Sequence, residues 1–307
     1  LKKLIGILQN YYTTRIPAGS IVLSFVLAAV ATTLQYSFQL KEALVNDASE
    51  PFFFAHAMLF YGIPLVLFLA IWGVMQQGRL KFSLPFIVLL LLTLFAFALR
   101  VGFSAHRTWV YFHFENWDYG IRLTNTMILG PIMCVLPILW WFFVDRKQEK
   151  HLYGLNFNKV SWKAYFLLLA MMVPLIALAS TQGDFIRYYP KVARLFSEEF
   201  PLNLKQAGLY ELFYGIDFVY IEFFFRGFLV IAFSRFLGPV SIPFAALMYC
   251  TIHFGKPLGE TISSWFGGML LGTLVYETRS IAGGVIVHMG IAWLMELGGT
   301  IGRLFDM

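Results

Sequence analysis

Apolar residues run through this chain in long blocks, broken by short polar stretches rather than by the alternation of an amphipathic soluble helix or strand. The blocks fall at about Ala18–Phe38, Phe52–Met75, Leu84–Phe103, Ile121–Val144, Trp162–Ser180 and Gly208–Phe233. Three shorter blocks follow at Val240–Ile252, Ile262–Tyr276 and Ile281–Leu297. A helix needs roughly 20 apolar residues to cross the hydrocarbon core of a bilayer. The pattern therefore predicts an all-α, polytopic membrane bundle with eight or nine spans. Pro64, Pro131, Pro137 and Pro174 lie inside blocks, which spanning helices tolerate better than soluble ones. Leu1–Ile16 carries Lys2, Lys3 and Arg15 among apolar residues and reads as an amphipathic lead-in along the membrane surface. Ala29-Val30-Ala31 resembles a signal-peptidase site, but the apolar run continues to Phe38, so the first block reads as an anchor. The Gln182–Lys205 connection is long and polar enough for a short interfacial helix.

Composition strengthens this picture. Of 307 residues, 59% are hydrophobic and 13% charged, about half the charge of a typical soluble domain. The net charge of +6 is ordinary for a membrane protein with basic cytoplasmic loops, and no basic face with interleaved aromatics points to nucleic acid. Lys2, Lys3, Arg15, Arg79, Lys81, Arg146, Lys147, Lys150, Lys159 and Lys163 fall on one side if the spans alternate. That places the N-terminus in the cytoplasm. Cys134 and Cys250 both lie in apolar runs and read as buried free thiols.

Against this background the block holding Asp217, Glu222 and Arg226 stands out. A charge at mid-bilayer costs about 2.5–3.5 kcal/mol on insertion scales. Glu222 and Arg226 are four apart, so one helical face carries both and pairing lowers the cost of each. Asp217 and Ile221 share a neighbouring face. The pair is either a packing device or part of a charged site facing the bundle interior. Beyond about residue 205 the apolar runs also gain His253, Lys256, Glu260 and His288, with Gly255, Gly267, Gly268, Gly272, Gly283 and Gly284 among them. Small residues let helix backbones approach closely. The chain thus divides into N-terminal scaffold helices, 1–204, and a chemistry-bearing part, 205–307. Histidine with a carboxylate suits activation of water. Alternatively, two His and one Glu from separate helices could hold zinc, although no His-Glu-x-x-His is present.

Glu222-Phe-Phe-Phe-Arg226-Gly227, Tyr249-x-x-x-His253, a Gly-rich helix and then His288 together resemble the CAAX-protease and bacteriocin-processing family of intramembrane proteases, the type II CAAX prenyl endopeptidases. The resemblance covers roughly 205–297. It implies a membrane-embedded endopeptidase, in a prokaryotic-type plasma membrane, acting on membrane-associated peptides or proteins. Its members are often described as metalloproteases. The family pattern is Glu-Glu-x-x-x-Arg, Phe-x-x-x-His and His-x-x-x-Asn or Asp. Arg226, Glu222, His253 and His288 match it. Ile221 stands where the first, catalytic glutamate belongs, Ala292 where the Asn or Asp belongs that the resemblance implies supports the oxyanion, and Tyr249 where the Phe belongs. Asp217 or Glu260 would have to replace the missing carboxylate. If they do not, the chain is an inactive relative serving as scaffold or binding subunit of a membrane complex. A transporter is a third reading, but no paired halves with broken helices support it.

Overall fold

The computed structural model describes residues 2–46, 52–78, 82–157, 160 and 162–305. Arg79, Lys81 and Lys159, and the side chains of Lys2 and Lys3, all used in the charge argument, lie outside the described residues. The architecture is all-helical, with no strand among the described residues. The helices are α1 (Lys2–Asn10), α2 (Ala18–Phe38), α3 (Phe53–Met75), α4 (Leu84–Gly102), α5 (His106–His113), α6 (Trp117–Trp140) and α7 (Trp162–Ala179). They continue with α8 (Gly183–Tyr188), α9 (Leu204–Glu222), α10 (Phe233–Leu237), α11 (Ser241–Thr251), α12 (Leu258–Thr278) and α13 (Ala282–Phe305). The apolar blocks match α2, α3, α4, α7 and α11 to within a few residues, α13 runs on to Phe305 beyond its block, no block marked α5, and α8 supplies the short helix expected in the Gln182–Lys205 connection.

Among the described residues six segments are long and apolar enough to cross a membrane: α2, α3, α4 with α5, α6 with the turn after it, α7 and α13. The expected eight or nine are therefore six by that measure, and α9–α10, α11 and α12 make the difference. Every residue of α11 is buried, and its eleven residues span only about 16 Å at 1.5 Å per residue. It is a half-length helix, apolar all round because protein surrounds it all round. It packs against α12, α2 and α3. Gly268 and Gly272 allow the α12 contact: a Cβ there would sit 3.0 Å from Ala246 and from Ile242.

Two sets of polar ties position the bundle. At one end Arg15 pairs with Glu277 at 3.1 Å and Arg279 with Glu149 at 3.0 Å. Asp145, buried in the turn after α6, takes Arg235 and the Tyr153 hydroxyl. Further along, the end of α2 secures the turn after α11. The Lys41 ammonium donates to the Phe254 carbonyl at 3.0 Å, Tyr36 donates to the Lys256 carbonyl, and Thr261 donates to the His253 carbonyl at 2.8 Å. Gly255 adopts φ +86° in that turn, a conformation that costs glycine nothing. The N-terminal helices thus reach the C-terminal chemistry directly.

Candidate functional site

The helix that begins at α9 is capped by Asn203, whose side chain accepts from the Gln206 amide at 2.9 Å. It runs on without a break, but residues Phe223–Ala232 are π-helical, a widened winding that recurs at functional sites. Glu222 sits at the junction and is wholly buried; Arg226 is 2% exposed. Their side chains approach to 3.4 Å, as the four-residue spacing predicts. The Arg226 guanidinium also lies 3.6 Å from the centre of the Tyr249 ring, where the ring's negative face attracts a cation. Glu222 Oε1 is 2.9 Å from His288 Nδ1. Glu222 Oε2, Arg226 Nε and Arg226 Nη1 are buried with no hydrogen-bond partner among the described residues.

The two histidines meet through Tyr249. His253 Nδ1 lies 2.8 Å from the Tyr249 carbonyl oxygen. Because a carbonyl only accepts, Nδ1 carries the proton, and Nε2 of the neutral ring keeps its lone pair. His288 is oriented the same way: Nδ1–H donates to Glu222, and Nε2 is 2.9 Å from the Tyr249 hydroxyl. The Tyr249 ring centre is 4.6 Å from that of His253 and 5.9 Å from that of His288, which bounds the separation of the imidazoles at the sum of those distances. The Phe218 ring packs against His288, tilted by 52° with ring centres 4.3 Å apart.

The two carboxylates proposed to replace the missing glutamate part company here. Glu260 Oε1 is 4.0 Å from His253 Nε2 and 2.6 Å from Lys256 Nζ, and its Oε2 accepts from the Tyr189 hydroxyl at 2.9 Å. Asp217 is instead held by Arg100 of α4, whose Nη2 reaches both carboxylate oxygens at 2.6 and 2.9 Å. Ile221 and Ala292 are buried apolar residues. The structure therefore gathers Glu222, Arg226, His253, His288 and Glu260 in one connected cluster, and places Asp217 in a separate ion pair.

Three contributors were not among the predicted site residues. Tyr249 holds both histidines; its signal was a tyrosine where the resembling pattern carries Phe. Lys256 was noted only as a nearby charge. Tyr189 comes from the connection before α9, and no local motif could link it to Glu260.

The donor set does not suit zinc. Among the described residues no three His, Cys, Asp or Glu side chains are grouped closely enough to hold a metal ion. His288 Nε2 is taken up by the Tyr249 hydroxyl, which leaves His253 Nε2 as the open imidazole lone pair of the cluster. The chemistry is accordingly derived from the side chains alone.

With this geometry described, comparison with known proteins adds a family. Residues 207–294 match the family model for the Rce1-like proteins, type II CAAX prenyl endopeptidase Rce1-like. The matched segment holds Glu222, Arg226, His253 and His288, and bears out over that length the resemblance read from the motifs. No curated protein and no solved structure matches the chain.

Proposed function

We propose that this integral membrane protein is an intramembrane endopeptidase that hydrolyses a peptide bond in a membrane-associated peptide or protein. The observation that carries this reading is the fixed tautomer of His253. Its Nδ1–H is committed to the Tyr249 carbonyl, which leaves the Nε2 lone pair beside Glu260. In the proposed reaction Nε2 takes a proton from water as the water oxygen adds to the scissile carbonyl carbon. Glu260 then faces the imidazolium so formed and stabilises its charge, standing in for the catalytic carboxylate that the resemblance puts at 221. When the tetrahedral species collapses, His253 returns the proton to the leaving amine. Glu222 and Arg226 hold His288 in place.

The test is profiling of new protein N-termini in native membranes carrying wild-type protein or His253→Ala. General-base catalysis contributes about 10²–10⁴-fold. His253→Ala should therefore remove a defined set of termini at unchanged protein level, and Glu260→Gln should reduce the same set. Identical termini in wild type and His253→Ala would refute hydrolysis by this site.

A second reading has its own observation. Ile221 and Ala292 are apolar and buried where the resembling family carries catalytic polar groups, which suits a relative kept as scaffold or binding subunit of a membrane complex. A stoichiometric co-purifying partner, with termini indifferent to His253, would favour it.

A further inference from the structure

The proposed hydrolysis leaves one role unfilled. A tetrahedral intermediate needs a hydrogen-bond donor for its oxyanion, and Ala292 cannot supply one. His288 does not supply it in its neutral form either. Its only N–H is Nδ1, which is given to the buried Glu222, and its Nε2 is an acceptor. The proton on that side of the cluster belongs to Tyr249, whose hydroxyl lies 2.9 Å from His288 Nε2 and whose ring contacts both imidazoles. If His288 is doubly protonated, its Nε2–H donates to the phenol oxygen and the phenol proton is free to point away. If it is neutral, the hydroxyl turns from Nε2 toward the substrate. In both states the donor facing substrate is the same O–H.

We propose that the Tyr249 hydroxyl donates the hydrogen bond to the carbonyl oxygen attacked in this site, in place of the side chain missing at Ala292. This rests on the hydrolase reading above. As water adds, the carbonyl π pair moves onto oxygen, which accepts the Tyr249 hydrogen bond. As the pair returns, the C–N bond breaks and the amine takes its proton from His253, while Tyr249 keeps its own. Arg226, over the ring face, makes the phenol a stronger donor by drawing electron density toward its positive charge. Glu222 fixes the His288 tautomer and His288 holds the hydroxyl until substrate takes the hydrogen bond, so they are positioning residues.

Tyr249→Phe removes the hydroxyl and keeps the ring that packs on Phe225 and His253, so the variant should accumulate normally. The experiment uses a synthetic peptide spanning a His253-dependent cleavage site found by terminus profiling, with full-length protein in nanodiscs. Tyr249→Phe should lower kcat about 10²–10³-fold, the loss typical of one oxyanion donor, with KM within about threefold. Nitrogen-15 NMR of labelled histidine should show His288 still in its Nδ1–H form, because Glu222 fixes it. Activity within threefold of wild type in Tyr249→Phe, with His253→Ala inactive, would overturn this proposal and leave the hydrolase reading standing. Loss of activity accompanied by a changed His288 tautomer would overturn it in favour of a positioning role. Termini that do not depend on His253 would overturn both.

Discussion

Gly284 lies so close to Glu222 that a Cβ at 284 would collide with Oε2 of the carboxylate. The first turn of α13 thus approaches the buried charge at a distance only glycine permits, and that approach brings His288, one turn further on, onto Glu222 Oε1. Gly284→Ala should therefore push the carboxylate out of line. Overpacking of this kind costs about 1–3 kcal/mol. The thermal midpoint in nanodiscs should fall, and His288 should lose the Glu222 contact in histidine NMR. An unchanged spectrum would show that the carboxylate has room the structure does not give it.

The Arg100–Asp217 pair joins α4 to α9 with both side chains mostly out of solvent. Breaking one partner of a buried pair costs about 3–5 kcal/mol, whereas replacing both costs less. Arg100→Met and Asp217→Asn should each destabilise the protein, and the double variant should recover part of the loss. Cleavage per folded molecule in Asp217→Asn should stay near wild type. A loss of cleavage at full stability would instead make Asp217 the base.

Lys191 predicts a pH dependence outside the membrane-spanning helices. Burial, aided by Lys256, pulls its ammonium from the usual 10.5 to about 7, although Glu260 and Glu296 oppose the shift. The Tyr188, Tyr189 and Tyr214 rings surround the amine, and the Tyr214 hydroxyl lies 2.9 Å from Nζ. Between about pH 7 and 10 the unfolded chain holds this proton and the folded chain has released it. Stability must then rise with pH across that window, and the cost of the charged amine is felt in full below about 7. Relative to Lys191→Met, the wild-type melting temperature should climb from pH 7 to pH 10. Parallel curves for the two proteins would contradict the shifted amine.

Topology gives the last test. One spanning helix, α7, separates Lys147 from Arg194. Cysteines placed at these two positions should label from opposite sides of sealed vesicles, and labelling from one side would remove α7 as a crossing segment.

Much of this protein was legible without coordinates. Apolar block length determined the all-helical membrane class and the extent of α2, α4 and α7, because lipid allows only helices and closed barrels, and continuous apolar blocks of about 20 residues lack the alternation of barrel strands. The spacing of Glu222 and Arg226 determined their pairing, because i,i+4 is a local property of a helix. Identity alone flagged His253 and His288, since an ionisable side chain in an apolar run is costly. Tertiary structure decided the rest. Val240–Ile252 is as apolar as a span but too short for one, and only its enclosure by α2, α3 and α12 shows what its apolarity serves. Asp217 and Glu260 were equal candidates along the chain. Arg100, from a distant helix, claims one, while the turn after α11 carries the other to His253. Tyr249 differs from the resembling pattern by a single oxygen, and its meaning appears only when α13 brings His288 to that hydroxyl. Contacts between helices far apart in sequence depend on packing angles and close approaches, and no period along the chain encodes those.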